Sequence, residues 1–444
     1  MIKRKKWAFI ASVLAGALVL AACSSGTSSD SADSSSSAEG SDSVEATLAS
    51  TELALYHDKQ GWDERFLLVS DAISADVGHT LTPTTYGDTT SYQNVLQQAA
   101  LTGDGPDLFT WWSGYRMVDG AKGGLFADVS DVWEDAIAAG DVAADLQSQF
   151  QVDGKTYGIP NGVSYWPMFY NKTKFTELGL SAPETWEEFI NICDTLLANG
   201  IVPITASIDG RWPAFIWFEQ LMISQDPDLY EDLMNNNIKW TDPKVKEVFD
   251  IWADMINKGY FTPLDTVFFG EDAAALITEG TMMPVGTWNN GSIASGGLVG
   301  GADFDAFIIP NIDSSNTRKS IIVETGTIGA LASSPNLDAA KQALRSWLRD
   351  GAQQAWADVA LDGVPNPKIS TADPVIKGLA SRVASDDVRL VQRFWEFGPV
   401  PFIEGGVDDL GRFMLDPSTV DSVLADLQVR ADTEWAAWNA KYGS

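Results

Sequence analysis

From about residue 50 the sequence alternates between two hydrophobic periods, and this limits the fold more than any other feature. TELALYH (51–57) alternates apolar and polar residues, as a strand with one buried face does. GWDERFLLVSDAISADVG then sets Phe66, Val69 and Ile73 at helical spacing and ends on Gly78. TLTPTTY reads as a strand. Pro83 cannot donate to a ladder, so that strand belongs at a sheet edge or a bulge. SYQNVLQQAALTG predicts a helix closed by Gly103, and PDLFTW a third strand. Strand, helix, strand, helix, strand implies an α/β fold with parallel pairing.

The same reading extends along the chain. VDGKTYGIP holds a hairpin turn at Asp153-Gly154, and GVSYWPMFYN follows as a strand. PETWEEFINICDTLLANG predicts a helix with Thr185 and Glu188 as its capping box and Gly200 as its stop. Asp242-Pro243 opens a helix that runs to Gly259. EDAAALITEG is a short helix before a strand MMPVG, while FDAFIIP and TIGAL are further strands. A helix from Leu337 has Ala340, Ala343, Leu344, Trp347 and Leu348 on one face. From Ala372 onward the pattern is helical almost throughout, and there is no internal repeat.

The N-terminus follows other rules. MIKRKK is basic, and the apolar stretch WAFIASVLAGALVLAA is short for a bilayer span but apt for a signal sequence. It ends at Leu20-Ala21-Ala22-Cys23, which resembles a bacterial lipobox. That resemblance implies cleavage of residues 1–22, a lipid on Cys23, and a protein held on the outer face of the cell membrane. Residues 24–43 contain eleven Ser and no means of building a core. Residues 23–48 are therefore expected to be a disordered tether, about 25 Å in root-mean-square span for twenty residues.

Composition excludes several chemistries. The formal net charge is −32. Loss of Lys3, Arg4, Lys5 and Lys6 leaves 25 of the 29 basic residues against 61 acidic ones, or −36. Such a surface repels phosphate backbones, so no nucleic acid is expected, and a neutral ligand fits best. Two Cys and two His cannot supply a metal site of ordinary spacing, and no metal or cofactor is expected. With Cys23 lipidated, Cys193 has no disulfide partner and reads as a buried small residue. TGDGPD, GTWNNGS and GGLVGG match neither a P-loop nor GxGxxG, and no GxSxG occurs.

The 17 Trp divide by context. Trp252, Trp347, Trp356 and Trp395 fall in amphipathic helical patterns and read as core; Trp435 and Trp438 read as packing on the last helix. Trp62, Trp111, Trp112, Trp166, Trp212 and Trp288 fall instead at strand edges beside Gly, Pro or Asn. In open α/β sheets, ligands bind beyond the carboxyl ends of strands. An indole face covers the apolar face of a pyranose ring. At about 100 Å² of stacked apolar area, each ring contributes about 2.5 kcal/mol. Glu324, in IIVETGTIG, is the one acid at the end of an apolar strand.

Taken together, TGDGPDLFTWW, DGKTYGIP with FYNK, PETWEEF and EGTMMPVGTW resemble the maltose-type sugar-binding proteins of bacterial ABC importers, extracellular solute-binding family 1, in order and spacing across nearly all of residues 50–440. The resemblance implies a two-lobed α/β fold of the periplasmic-binding-protein kind, with a hinge, a ligand cleft between lobes and a helical C-terminal segment. It implies an N-terminal lobe of residues 49–160 with 311–365, and a C-terminal lobe of 161–310 with 366–444. The chain would cross near Gly158–Ser164 and Phe307–Asn311, with a third passage near Gly363–Lys368.

The resemblance also implies site residues. Asp58 and Lys59 match the acid-plus-Lys pair after the first strand, and Gln93 a polar contact. Trp111 matches the aromatic after the Pro-Asp strand, flanked by Trp112 and Arg116. Tyr165 and Gly114 stand where maltose binders carry acids. Trp212 falls in the second lobe's aromatic region. Trp288 matches the stacking Trp after the MPVG strand, with Asn289 and Asn290 beside it, and Phe402 is the nearest match to the C-terminal stacking ring. The implied protein is a monomeric receptor, not an enzyme, that carries a neutral mono- or oligosaccharide to permease subunits in the membrane. A secreted glycoside hydrolase or lyase, or a surface lectin, would use a similar aromatic surface.

Overall fold

The computed structural model describes residues 49–384 and 388–443; the expected leader, Cys23 and the expected tether of residues 23–48 lie outside the described residues. The first lobe is built on a sheet in the order Thr80–Thr85, Glu52–His57, Leu108–Trp112, Gly326–Ala330, Ile159–Pro160. The first three strands are parallel, with Leu53 opposite Leu81 and Leu55 opposite Leu108. Pro83 lies on the edge strand, where its missing donor costs no ladder bond. Leu53, Leu55, Leu108 and Phe109 are buried. The helix Asp63–Val77 buries Phe66, Val69 and Ile73, and Gly78 closes it at φ 78°. On the helix Thr89–Thr102, Tyr92 donates its hydroxyl to the Thr110 carbonyl at 2.5 Å and fixes that helix to the third strand.

Gly326–Ala330 runs antiparallel to Leu108–Trp112, so a late segment completes the first sheet. Asp107 secures this join. Its carboxylate accepts from the Ala54 N–H at 2.9 Å, the Ser334 hydroxyl at 2.6 Å and the Asn336 amide at 3.1 Å. The Pro-Asp pair is therefore structural: it binds the first strand to the loop after the returning one.

A three-stranded sheet connects the lobes. Ser164–Tyr165 and Val388–Gln392 flank Lys319–Glu324, the first antiparallel and the second parallel. The expected single strand GVSYWPMFYN is two strands, Ser164–Tyr165 and Met168–Asn171, in different sheets. Pro167 stands between them, where it has no N–H to continue a ladder. Met168–Asn171 lies between Phe304–Phe307 and Met283–Pro284 in the second lobe's sheet. The chain passes between lobes after Pro160 and returns at Thr325, where Val323 pairs with Tyr165 and Gly326 with Trp112. That return lies beyond the expected Phe307–Asn311. There the chain instead turns in a polar loop, and the Asn311 amide donates to the carbonyls of Asn316 and Arg318 at 2.6 and 3.0 Å.

The helical second lobe follows its caps. Thr185 and Glu188 form the reciprocal capping box on Trp186–Ala198. Asp242 caps Pro243–Asn257 through the Lys244 N–H. The C-terminal segment, expected to be helical almost throughout, departs from that at Val388–Gln392, an edge strand of the connecting sheet. Its neighbour supplies the ladder that helical patterning cannot reveal. Two long helices follow, Val400–Leu415 and Val420–Tyr442. The last returns to the first lobe, where Trp435 and Trp438 lie 5.3 and 5.0 Å from the Tyr115 ring and Lys441 pairs with Asp119 at 3.0 Å.

Removing the carboxylate in Asp107→Ala leaves three donors without their acceptor, two of them side chains that can turn elsewhere. The expected loss is about 3 kcal/mol of unfolding free energy, read from the urea midpoint with an unchanged slope.

Candidate functional site

The carboxyl ends of the first sheet deliver the first wall of the cleft. Asp58 and Lys59 follow Glu52–His57, and Trp111 and Trp112 end Leu108–Trp112. Lys59 pairs with Asp58 at 2.8 Å, and its ammonium lies 4.9 Å from the Trp112 ring centre. Asp58 also accepts from the Thr89 hydroxyl at 2.8 Å. Trp62, just before its helix, stands beside them. From the second lobe come Trp166, Trp212 and Trp288, the last on the short turn Thr287–Asn289.

These rings meet. Trp62 lies 6.4 Å from Trp288, and Trp288 lies 6.2 Å from Trp166 and 6.4 Å from Trp212. Trp111 and Trp112 are edge to face at 5.1 Å and line the same cavity as Trp62 and Trp288. The enclosed space is about 20 Å³, enough for one water and far too small for a sugar ring. The two walls are closed on one another.

Glu324 is the hub. One of its oxygens, Oε2, accepts from the indole N–H groups of Trp166 and Trp288, both at 3.0 Å, and from Arg393 at 2.7 Å. The Arg393 guanidinium also grips Glu396 through two nitrogens and lies 5.3 Å from the Trp166 ring centre. Burial alone would lower the Arg393 pKa; the carboxylates of Glu324 and Glu396 outweigh it and hold the guanidinium charged. Behind them, burial pushes the Glu219 carboxyl well above its usual range, and its Oε2 accepts from the Phe394 N–H at 2.8 Å. Removing one partner from so dry a cluster leaves an uncompensated charge.

Arg116 lies under the rings rather than among the lining residues. It is 1% exposed, 3.9 Å from the Trp395 ring centre and 5.3 Å from that of Trp112, and pairs with Glu404 at 2.8 Å. Tyr165 is half-buried on the connecting strand and gives its N–H to the Thr287 hydroxyl at 3.0 Å. Asn289 and Asn290 are buried, and their amides donate to the carbonyls of Phe268 and Leu361 at 3.3 and 2.9 Å. Asn290 thus ties the second lobe to the first. Gln93 is half-buried on Thr89–Thr102 and outside the cavity lining. Phe402 is also outside it: the helix Val400–Leu415 turns this ring inward, fully buried against Trp240 and Phe394. The missing acid at position 114 has a steric cause. A Cβ on Gly114, at φ 62°, would stand 2.4 Å from the Glu396 carbonyl oxygen.

Other groups in the cleft escaped sequence reasoning. Trp356 has a helical pattern and is 2% exposed, yet its edge meets Trp62 at 5.5 Å and it lines the cavity. Arg65 is buried on the same helix as Phe66, stacks 4.8 Å from the Trp62 ring centre and donates to the Trp288 carbonyl at 3.2 Å. Asp362 is 2% exposed and accepts from Ser164, Thr287 and the Gly363 N–H. Its local signal is an acid before Gly-Val-Pro at a helix end, which reads only as a turn.

The family model for bacterial extracellular solute-binding proteins matches residues 71–354. The chain is 24% identical to an uncharacterized ABC transporter extracellular-binding protein of Pyrococcus horikoshii over 425 residues, 93% of this chain and 92% of that one. It is 26% identical to a probable sugar-binding periplasmic protein of Rhizobium meliloti over 272 residues, 57% of this chain and 62% of the other. Among solved structures, the solute receptor AcbH, described as preferring β-D-galactopyranose, superposes with a TM-score of 0.75 at 21% identity, covering 86% of this chain and 99% of that one. A chitin oligosaccharide binding protein superposes at 0.74 with 22% identity, covering 87% and 99%. Its two lobes have the fold of these receptors, and the chain belongs to the bacterial extracellular solute-binding protein family.

Proposed function

We propose that this protein is the carbohydrate receptor of an ABC importer, held outside the cell by a lipid on Cys23. It would take a neutral mono- or oligosaccharide between its lobes and deliver it, as a monomer, to permease subunits in the membrane. The observation that carries the reading is the meeting of Trp62 with Trp288 across the cleft, where Trp288 and its neighbour Trp166 are both held by Glu324. Indole faces suit the C–H face of a pyranose, and a fixed carboxylate suits its hydroxyl rim. Cations at the cleft already have partners in the protein: Lys59 has Asp58, Arg116 has Glu404, and Arg393 has Glu324 and Glu396. That pairing favours an uncharged ligand.

The cycle follows from the hinge. A sugar enters when the walls part, and its contacts with both lobes favour the shut form. The permease would then recognise that form. The site residues for this cycle are Lys59, Trp62, Trp111, Trp112, Trp288 and Glu324, with Asp58, Trp166 and Trp212 supporting them. The sugars named for structurally similar receptors, β-D-galactopyranose, raffinose and chitin oligosaccharide, form a rational first panel.

Calorimetric titration with galactose, raffinose, xylotriose and chitotriose is expected to find at least one sugar binding below about 100 μM, which corresponds to roughly 5.5 kcal/mol. Absence of binding across neutral sugars overturns the reading. Trp288→Ala is expected to weaken that sugar at least tenfold, about 1.4 kcal/mol, with unchanged circular dichroism. In cells fed an alkyne fatty acid, the protein is expected to take up label and sediment with membranes. Cys23→Ser should abolish both; label retained in that variant would place the lipid elsewhere.

A further inference from the structure

Asp362 follows the first-lobe helix Asp350–Ala360, and its carboxylate is assembled from both sides of the cleft. One oxygen accepts from the Ser164 hydroxyl on the connecting strand. The other accepts from the Thr287 hydroxyl of the second lobe at 2.5 Å and the Gly363 N–H at 2.7 Å. Arg65, on Asp63–Val77, attracts it, but the hydrogen bond of that guanidinium goes to the Trp288 carbonyl. Lys59 and Glu324 line the same cavity, with Lys59 paired to Asp58 and Glu324 to Arg393. From the connecting strand, Tyr165 faces it as a neutral phenol, its pKa raised by burial and then by the Asp362 charge. Asp362 is thus a carboxylate in a dry seam, held by hydroxyls and an amide rather than by a bonded cation.

We propose that closing this cleft takes up a proton on Asp362, so that the receptor holds its sugar more tightly in mildly acidic surroundings than at neutral pH. This rests on the hinge-closing receptor proposed above. When the lobes part, Thr287 leaves with the second lobe and water reaches the carboxyl. Its pKa then returns toward the ordinary aspartate value of about 3.9. In the shut form burial pushes it up to about 6, against the hydrogen bonds of Ser164, Thr287 and Gly363. The shut form therefore binds the proton more strongly. By linkage, closure gains as pH falls through 6 and the gain levels off near 4. Between pH 7.5 and 5.5 the closed-to-open ratio rises about fourfold.

The test needs no sugar. Nitroxide labels on Gln97→Cys and Lys239→Cys, exposed on the first and second lobes, report the separation by electron–electron dipolar spectroscopy. They are placed in the full chain carrying Cys23→Ser; Cys193 is buried with its thiol pKa raised, and stays unlabelled. The short-distance population is expected to gain about fourfold over the long one from pH 7.5 to 5.5. Asp362→Asn should remove that response, and Thr287→Val, which deletes a donor to the carboxylate, should move its midpoint to higher pH. A distance distribution unchanged between the two pH values, or an unchanged response in Asp362→Asn, overturns the proposal. If Asp362→Asn does not fold, the wild-type response and the Thr287→Val midpoint decide. A calorimetric arm with galactose, raffinose, xylotriose and chitotriose, in two buffers of different ionisation heat at pH 6, expects uptake of about half a proton per sugar bound. Binding without proton uptake sinks the proton proposal alone. Absence of binding sinks the receptor reading, and the spectroscopic arm still judges the proton.

Discussion

The arrangement of this cleft depends on one oxygen, Oε2 of Glu324. It receives two indole N–H groups and a guanidinium, and all three donors belong to the second lobe or the connecting sheet. The carboxylate itself stands at the last residue before the chain returns to the first sheet. A single acceptor therefore orients Trp166 and Trp288 and anchors both to the hinge. Charge-assisted hydrogen bonds are about twice as strong as neutral ones, so the rings are held by direction as well as packing. Arg393 makes this possible by pairing with both Glu324 and Glu396 in a region where an unpaired charge would be costly.

Around that centre the protein keeps its own cations on the faces of its rings. Lys59 and Arg116 face Trp112, Arg65 faces Trp62, and Arg393 faces Trp166. A ring face that a cation covers is closed to another partner until the cation moves. Ring count is therefore a poor guide to binding capacity, because opening the cleft must rearrange these contacts as well as admit water. The space of about 20 Å³ between the walls reflects the same fact: the shut form packs its aromatic groups against one another.

Local patterns made the lobes legible. Alternation in TELALYH, the glycine stops at Gly78 and Gly103, and the Thr185–Glu188 box each act within a few residues, and each stands where the pattern puts it. Of the six Trp residues set apart by their context, Trp62, Trp111, Trp112 and Trp288 line the cavity, while Trp166 and Trp212 pack against Trp288 outside its lining. What could not be read depends on distant partners. Glu324 was visible as an acid ending an apolar strand, but Arg393 lies far along the chain in a stretch of helical pattern. Val388–Gln392 becomes a strand only because Lys319–Glu324 lies beside it. Asp362 gains its setting from Ser164 and Thr287, both remote in sequence. Phe402 shows the reverse error of scale: a likeness in local order carried no information about the helix face, which points to the core.

Position 114 shows how such packing constrains descent. Glycine there is wedged against the backbone of the Phe394–Glu396 turn, whose Arg393 neighbour steadies Glu324. No single codon change could install an acid at that spot without shifting the turn and slackening the hub. The backbone under the rings therefore sets the residue at 114, and any side chain there has to be met by a matching shift in the turn that carries Arg393 and Glu396.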